Sequence, residues 1–197
     1  MDKRPWKKLE SEDLERDSRL LRFYRGDGPD SEGRRLDQIL AWDDRLLEGV
    51  HDYIQWLFPL DEQSAFNADA PLLTPADGIA FASDAALGEN IKRAFLRMLT
   101  FYGFRLVDSS DRMTVERGDT WSVRSTTWLR PHNHNFLRQT RIIKSLTLLG
   151  QPTLARAFGE ALLKEYDLAP AVIGATTAGY WRDAVSRTYS RTDAKQP

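Results

Sequence analysis

The sequence predicts an all-α fold, a single-domain bundle of about six or seven helices around an aromatic core. Three observations carry the prediction. Apolar residues recur at spacings of three and four through most of the chain, the period of a helix that buries one face. Helix starts and stops stand beside those runs, as at Thr74-Pro75-Ala76-Asp77, Gly103, Gly150 and Pro152. Rings are abundant, with six Trp, six Tyr and nine Phe, and each ring buries a large area in a core.

Residues 1–19 mix both charge signs around few apolar anchors (Trp6, Leu9, Leu14) and read as a mobile charged arm. The helical domain is expected over 20–189, opening at Leu20-Leu21-Arg22-Phe23-Tyr24. Gly26, Gly28, Pro29, Asp30, Ser31 and Gly33 make a loop. Without a strand before it and a helix after it, that loop is a poor phosphate cradle. A short helix is expected at Leu36–Trp42. Asp43 or Asp44 caps the next, in which Leu47, Val50, Ile54 and Leu57 form one buried stripe widened by Leu46, Tyr53 and Phe58. Pro59 stops it, having no backbone N–H to donate.

Residues 61–73 lack periodicity and form a loop. Thr74 caps a short helix with Pro75 at its first position and Asp77 in its first turn. Ser83-Asp84 caps a stronger one, with Leu87, Ile91, Phe95, Met98 and Tyr102 inward and Gly103 as its left-handed end. Over 104–130, Phe104/Leu106 and Met113/Val115 alternate around a polar turn, which permits either a short hairpin or an irregular loop, with Trp121 and Trp128 as anchors. A long helix follows at about 134–149, closed by Gly150. Pro152 opens another, with Leu154, Phe158, Ala161, Leu162 and Tyr166 on one face, and Ala169-Pro170 breaks it. The last helix, Thr176 to Tyr189, is expected to turn Tyr180, Trp181, Ala184 and Val185 inward, and 190–197 to form a disordered tail.

Composition narrows the function. Lys plus Arg (28) nearly balances Asp plus Glu (29), so no overall field favours nucleic acid, which is not an expected partner. The absence of cysteine excludes disulfide scaffolds, Cys-ligated zinc and thiol catalysis. The first residues lack the apolar run of a signal peptide, and no stretch nears the roughly 18 apolar residues of a transmembrane helix. A cytoplasmic protein is expected.

Two stretches hold the candidate site residues. In HDYIQWLFPL (51–60), His51 and Gln55 stand one turn apart beside the buried stripe, with Trp56 next to them. On the 134–149 helix, at about 100° per residue, His134, Arg138, Arg141 and Ser145 fall in one row opposite Phe136, Thr140, Ile143, Leu146 and Thr147. Forked guanidinium donors in such a row suit a carboxylate or phosphate. A solvated polar face, or arginines paired with acids on a neighbouring helix, explains the same pattern. His132 and His134 do not share a helix face, and no acid completes a ligand spacing, so no metal and no cofactor are expected. Nothing resembles a nucleophile elbow, a Walker loop or a dinucleotide fingerprint. Asp52, adjacent to His51, would point about 100° away from it on a helix, so no catalytic residue is expected.

Both stretches resemble one family. HDYIQWLFPL followed by the Thr74-Pro75-Ala76-Asp77 helix start is similar to the opioid growth factor receptor conserved region, and the row from His134 to Leu146 (HNFLRQTRIIKSL) resembles that family's second block. Phe23-Tyr24 and the helix end at Met98, Phe101, Tyr102 and Gly103 also fit, so the resemblance covers residues 20–185. It implies a receptor-like protein. The animal members are described as receptors for an enkephalin pentapeptide, associated with the nucleus and its membranes, with C-terminal repeats beyond this domain. The present chain is read as a domain-only member without those repeats, and the resemblance supplies no catalytic residue.

Three functions compete on the sequence. The first is non-enzymatic binding of a short peptide or small carboxylate or phosphate ligand by His51, Gln55, Trp56, His134, Asn135, Arg138 and Arg141. The second is a protein or nucleic-acid interaction module using the 134–149 helix as an exposed basic face. The third is an enzyme with His51 or His134 as general base, which lacks a positioned partner.

Overall fold

Helical periodicity wins over most of the chain, as expected. The computed structural model describes residues 18–64, 67, 69–110 and 112–192. Among these it has eleven helices and one two-stranded sheet. Residues 1–17 of the arm expected at 1–19, and residues 193–197 of the tail expected at 190–197, lie outside the described residues. The chain divides into two compact units, residues 1–94 and 95–197.

In the first unit, α1 (Arg19–Arg25) starts at Ser18, whose hydroxyl accepts the Leu21 N–H at 3.1 Å. Helices α2 (Leu36–Leu40) and α3 (Asp44–Gly49) follow, the latter capped by Asp43 through the Leu46 N–H at 2.8 Å. The continuous helix expected from Asp44 to Phe58 does not form. Val50 leaves helical geometry at φ −93°, ψ 137°, and only Ile54–Leu57 resume it as α4. Tertiary contacts override the period here. The Tyr53 hydroxyl donates to the Leu47 carbonyl at 2.9 Å, the Tyr53 ring packs edge-on to Trp42, and Asp52 is drawn to Arg34. Leu46, expected in the buried stripe, is consequently 45% exposed, and Val50 is only half-buried.

Helix α5 (Pro75–Ser83) begins with the expected cap: the Asp77 N–H donates to Thr74 Oγ1 and the Thr74 N–H to Asp77 Oδ2. The Ser18 hydroxyl donates to the other oxygen of Asp77, tying α1 to α5. Helix α6 (Ala85–Tyr102) is capped by Asp84, whose Oδ1 accepts the N–H groups of Ala86 (2.9 Å) and Leu87 (3.4 Å). The Ala86 bond first, then those of Leu87 and Arg25, outweigh desolvation and hold the Asp84 carboxyl below its ordinary value. A lowered folded-state value stabilises above the unfolded value and is lost as pH falls through the folded one. Asp84→Asn is therefore expected to lessen the loss of stability below about pH 4, read as urea midpoints at pH 3 and pH 5.

In the second unit, α6 ends at Gly103 (φ 85°), and the hairpin reading of 104–117 is the one that forms. β1 (Phe104–Asp108) pairs antiparallel with β2 (Met113–Arg117), with Leu106 opposite Val115. An unexpected helix, α7 (Trp121–Trp128), follows, then α8 (Asn135–Leu148), α9 (Pro152–Leu168), the short α10 (Pro170–Ile173) and α11 (Ala175–Thr192). Trp128 is the hub of the rings, within 6.3 Å of Tyr102, Phe104, Trp121 and Phe136, and its Nε1 donates to the Tyr102 carbonyl at 3.0 Å.

Helix α9 packs against α8, α11 and β2. Its Gly159 leaves room for side chains of both neighbouring helices: a Cβ there would stand 2.1 Å from Val185 Cγ2 on α11 and 3.4 Å from Ile143 Cδ1 on α8. Against β2, the buried Glu165 takes two bonds from Arg117 (2.8 and 2.6 Å), whose guanidinium also lies 4.6 Å over Trp121. The bond to Glu165 raises the Arg117 value above its ordinary one.

Two expectations for the last helix are corrected. Tyr180 is 51% exposed, because α11 buries Ala178, Trp181, Ala184, Val185 and Thr188, a row that Tyr180 precedes by about 100°. The helix also runs to Thr192, into the segment expected to be a disordered tail.

Candidate functional site

The first block is mostly occupied in holding its own turn. Every residue from Tyr53 to Leu60 is buried. Trp56, 1% exposed, lies 5.3 Å from the Phe23 ring, with the Arg19 guanidinium 5.3 Å from its centroid and its Nε1 donating to Ser31 Oγ at 3.3 Å. Gln55 is buried, and its amide nitrogen, turned toward the acceptors, donates to the carbonyls of Asp52 (3.0 Å) and His51 (3.2 Å). Tyr24, whose phenol burial holds well above its ordinary value, donates to the Leu57 carbonyl. Of the three expected site residues here, His51 alone is exposed, with Nδ1 2.9 Å from the Gly49 carbonyl.

Sequence reasoning missed the group that anchors this block. Asp30 is buried and accepts the N–H groups of Glu32 and Arg34 on one oxygen and Arg34 Nε on the other, at 2.6 Å. Arg34 Nη1 then reaches Asp52 at 2.9 Å, and its guanidinium lies 5.4 Å from the Trp42 centroid. Burial opposes the charge of Arg34, but the bonds to Asp52 and Asp30 leave its value raised. The glycine-rich loop is therefore a clamp on the Asp52 turn. An aspartate followed at two and four residues by backbone donors was the available signal.

The second block lies on α8. His134 and Arg141 are half-buried, whereas Asn135 and Ser145 are fully buried and Arg138 is 5% exposed. Arg138 Nη1 donates to Asn135 Oδ1 at 3.3 Å. Beside Asn135, one turn on, the fully buried Gln139 has no partner among the described residues for either amide atom, and neither do the Ser145 hydroxyl and the Trp181 indole N–H. The exposed basic face expected of this helix is thus not present: Arg138 and Ser145 of its polar row are buried, and Leu137, 53% exposed, points out instead. Gln139 was overlooked because a glutamine among apolar neighbours carries no chemistry of its own on a wheel.

Among the described residues, no group of three or more His, Asp or Glu side chains is placed to hold a metal. No helix among them is long and apolar enough to cross a membrane.

What these features define is a helical domain in which one aromatic-rich block forms a buried turn and a second forms a buried polar row on a helix. The chain belongs to the family described as the opioid growth factor receptor (OGFr) conserved region, whose model matches residues 13–192. It is 39% identical over 170 residues to the opioid growth factor receptors of Rattus norvegicus and Homo sapiens, covering 81% of this chain and 28% and 24% of those proteins. It is 36% identical over 149 residues to opioid growth factor receptor-like protein 1 of Mus musculus, covering 74% of this chain and 31% of that protein. The match thus spans about a quarter to a third of these relatives. No solved structure matches the chain.

Proposed function

We propose that this chain is a non-enzymatic, receptor-like binding domain for a short peptide or small anionic ligand, with α8 as the element that receives the ligand's charge. The observation that carries this reading is the buried polar row of α8: Asn135, Arg138, Gln139 and Ser145 where apolar residues would pack at lower cost. A buried polar group left without a partner costs about 1–3 kcal/mol, so Gln139 and Ser145 are expensive unless something polar meets them. Arg138, oriented by Asn135, brings a forked donor suited to a carboxylate. His134 and Arg141 flank it at half-buried positions. In the first unit His51 is the exposed member of its block, and Gln55 and Trp56 keep its turn in shape. The receptor names of the relatives favour the same class.

A thermal shift tests the class. At an enkephalin pentapeptide concentration near 100 Kd, binding to the native state adds about 2.7 kcal/mol, which is expected to raise the unfolding midpoint by several degrees. No shift at any soluble peptide concentration would remove the peptide from the reading.

A further inference from the structure

The near-neutrality of the whole chain conceals a division. Residues 18–94 carry eight Lys and Arg against fourteen Asp and Glu, a formal −6. Residues 95–192 carry fourteen against eight, a formal +6. The boundary is that between the two compact units, so the two have net charges of opposite sign, and the second generates an anion-attracting field that the overall charge of −1 does not reveal. Twelve of its fourteen cations are arginines. Arginine is weakly hydrated and presents a planar fork that matches phosphate better than a lysine ammonium does.

Part of this charge is already used, as in Arg117 with Glu165 and Arg112 with Glu160. Arg130, Lys164 and Arg187 are exposed, and none has an acidic partner among the described residues. Arg187 also has an aromatic companion. Tyr180 stands seven residues before it on α11, within about 20° of the same face and about 10 Å along the axis, and is 51% exposed. An exposed ring and an exposed arginine on one helix face are the two parts that single-stranded nucleic acid uses: a base stacks on the ring and the phosphates meet the cation. A duplex would offer the ring no free base face.

We propose that the second unit binds single-stranded nucleic acid, drawn in by its +6 charge and docked on the Tyr180–Arg187 face of α11. This surface is separate from the buried row of α8, so it stands or falls independently of the peptide reading.

The test is fluorescence anisotropy of a labelled oligothymidylate titrated with the full chain, from about 20 to about 300 mM NaCl. Binding is expected at low salt and should weaken steadily as salt rises. The triple variant Arg130→Glu, Lys164→Glu, Arg187→Glu removes the excess of the second unit and should weaken binding about tenfold or more. Arg22→Glu, Arg45→Glu, Lys92→Glu in the first unit gives the same overall charge and should change it by less than about threefold. Tyr180→Ala, an exposed truncation that leaves the core alone, should weaken binding about fivefold or more, in the range of one stacked base, without altering the salt slope. The proposal is overturned by no binding at low salt, by equal losses in the two triple variants, or by an unaffected Tyr180→Ala. Equal competition by polyglutamate would also overturn it, because the partner would then be an acidic polypeptide.

Discussion

Gly103→Ala is expected to destabilise the protein by about 3 kcal/mol or more. Two penalties combine. Gly103 holds φ at 85°, where an L side chain costs roughly 1–2 kcal/mol. The added Cβ would also stand 2.9 Å from the Trp121 Cα and 2.9 Å from Arg124 Cβ. The first of these is backbone, which cannot rotate away, so α7 would have to shift as a body. That shift would disturb Trp121 and Trp128, both packed at a tilt against Phe104. For a chain of this size about 3 kcal/mol corresponds to a midpoint lower by about 6–12 °C, measurable by tryptophan fluorescence during urea or thermal unfolding. A loss below about 1 kcal/mol would mean that α7 is not held against the end of α6 as described.

Trp56→Ala is expected to cost about 3–5 kcal/mol, the range for emptying a large ring from a close-packed core. His51→Ala, five residues earlier in the same block, should cost less than about 1 kcal/mol, because the imidazole is exposed. The contrast matters for function. Trp56 touches Phe23 and is covered by Arg19, so its removal would leave a cavity in the first unit. If Trp56→Ala were nearly neutral in stability, its ring would instead be free for a ligand. Urea midpoints of the two variants, with the m value held constant, decide between these.

How far the sequence could be read depended on whether local chemistry or tertiary contact decided each element. The caps at Asp43, Thr74-Asp77 and Asp84 were legible because a short polar side chain binding its own helix start is a local event. The break at Val50 was not, since the apolar period runs straight through it. What ends α3 is Arg34, sixteen residues upstream, together with the ring of Trp42. Helix α7 escaped because WSVRSTTW buries only Trp128 and so shows almost no apolar face. On α8 the row of His134, Arg138 and Arg141 was visible, but its direction was not. A wheel orders residues around a helix without saying which side solvent occupies, and Arg138 lies inside. In the clamp, the turn from Asp30 to Arg34 is a local pattern that the sequence carries, whereas the reach of Arg34 to Asp52, eighteen residues on, is a tertiary contact that no local spacing reveals.

The central claim is that α8 receives an anionic group through Arg138. Isothermal titration of the full chain with the enkephalin pentapeptide and with its C-terminal amide tests it most directly, in the wild type and in Arg138→Lys. Binding of the free acid is expected, weakened about tenfold by amidation, consistent with loss of a charge-assisted hydrogen bond of about 1.5 kcal/mol. Arg138→Lys, which keeps the charge and loses the fork, should weaken the acid by a similar factor and leave the amide unchanged. Equal affinity for acid and amide in both proteins would contradict the claim.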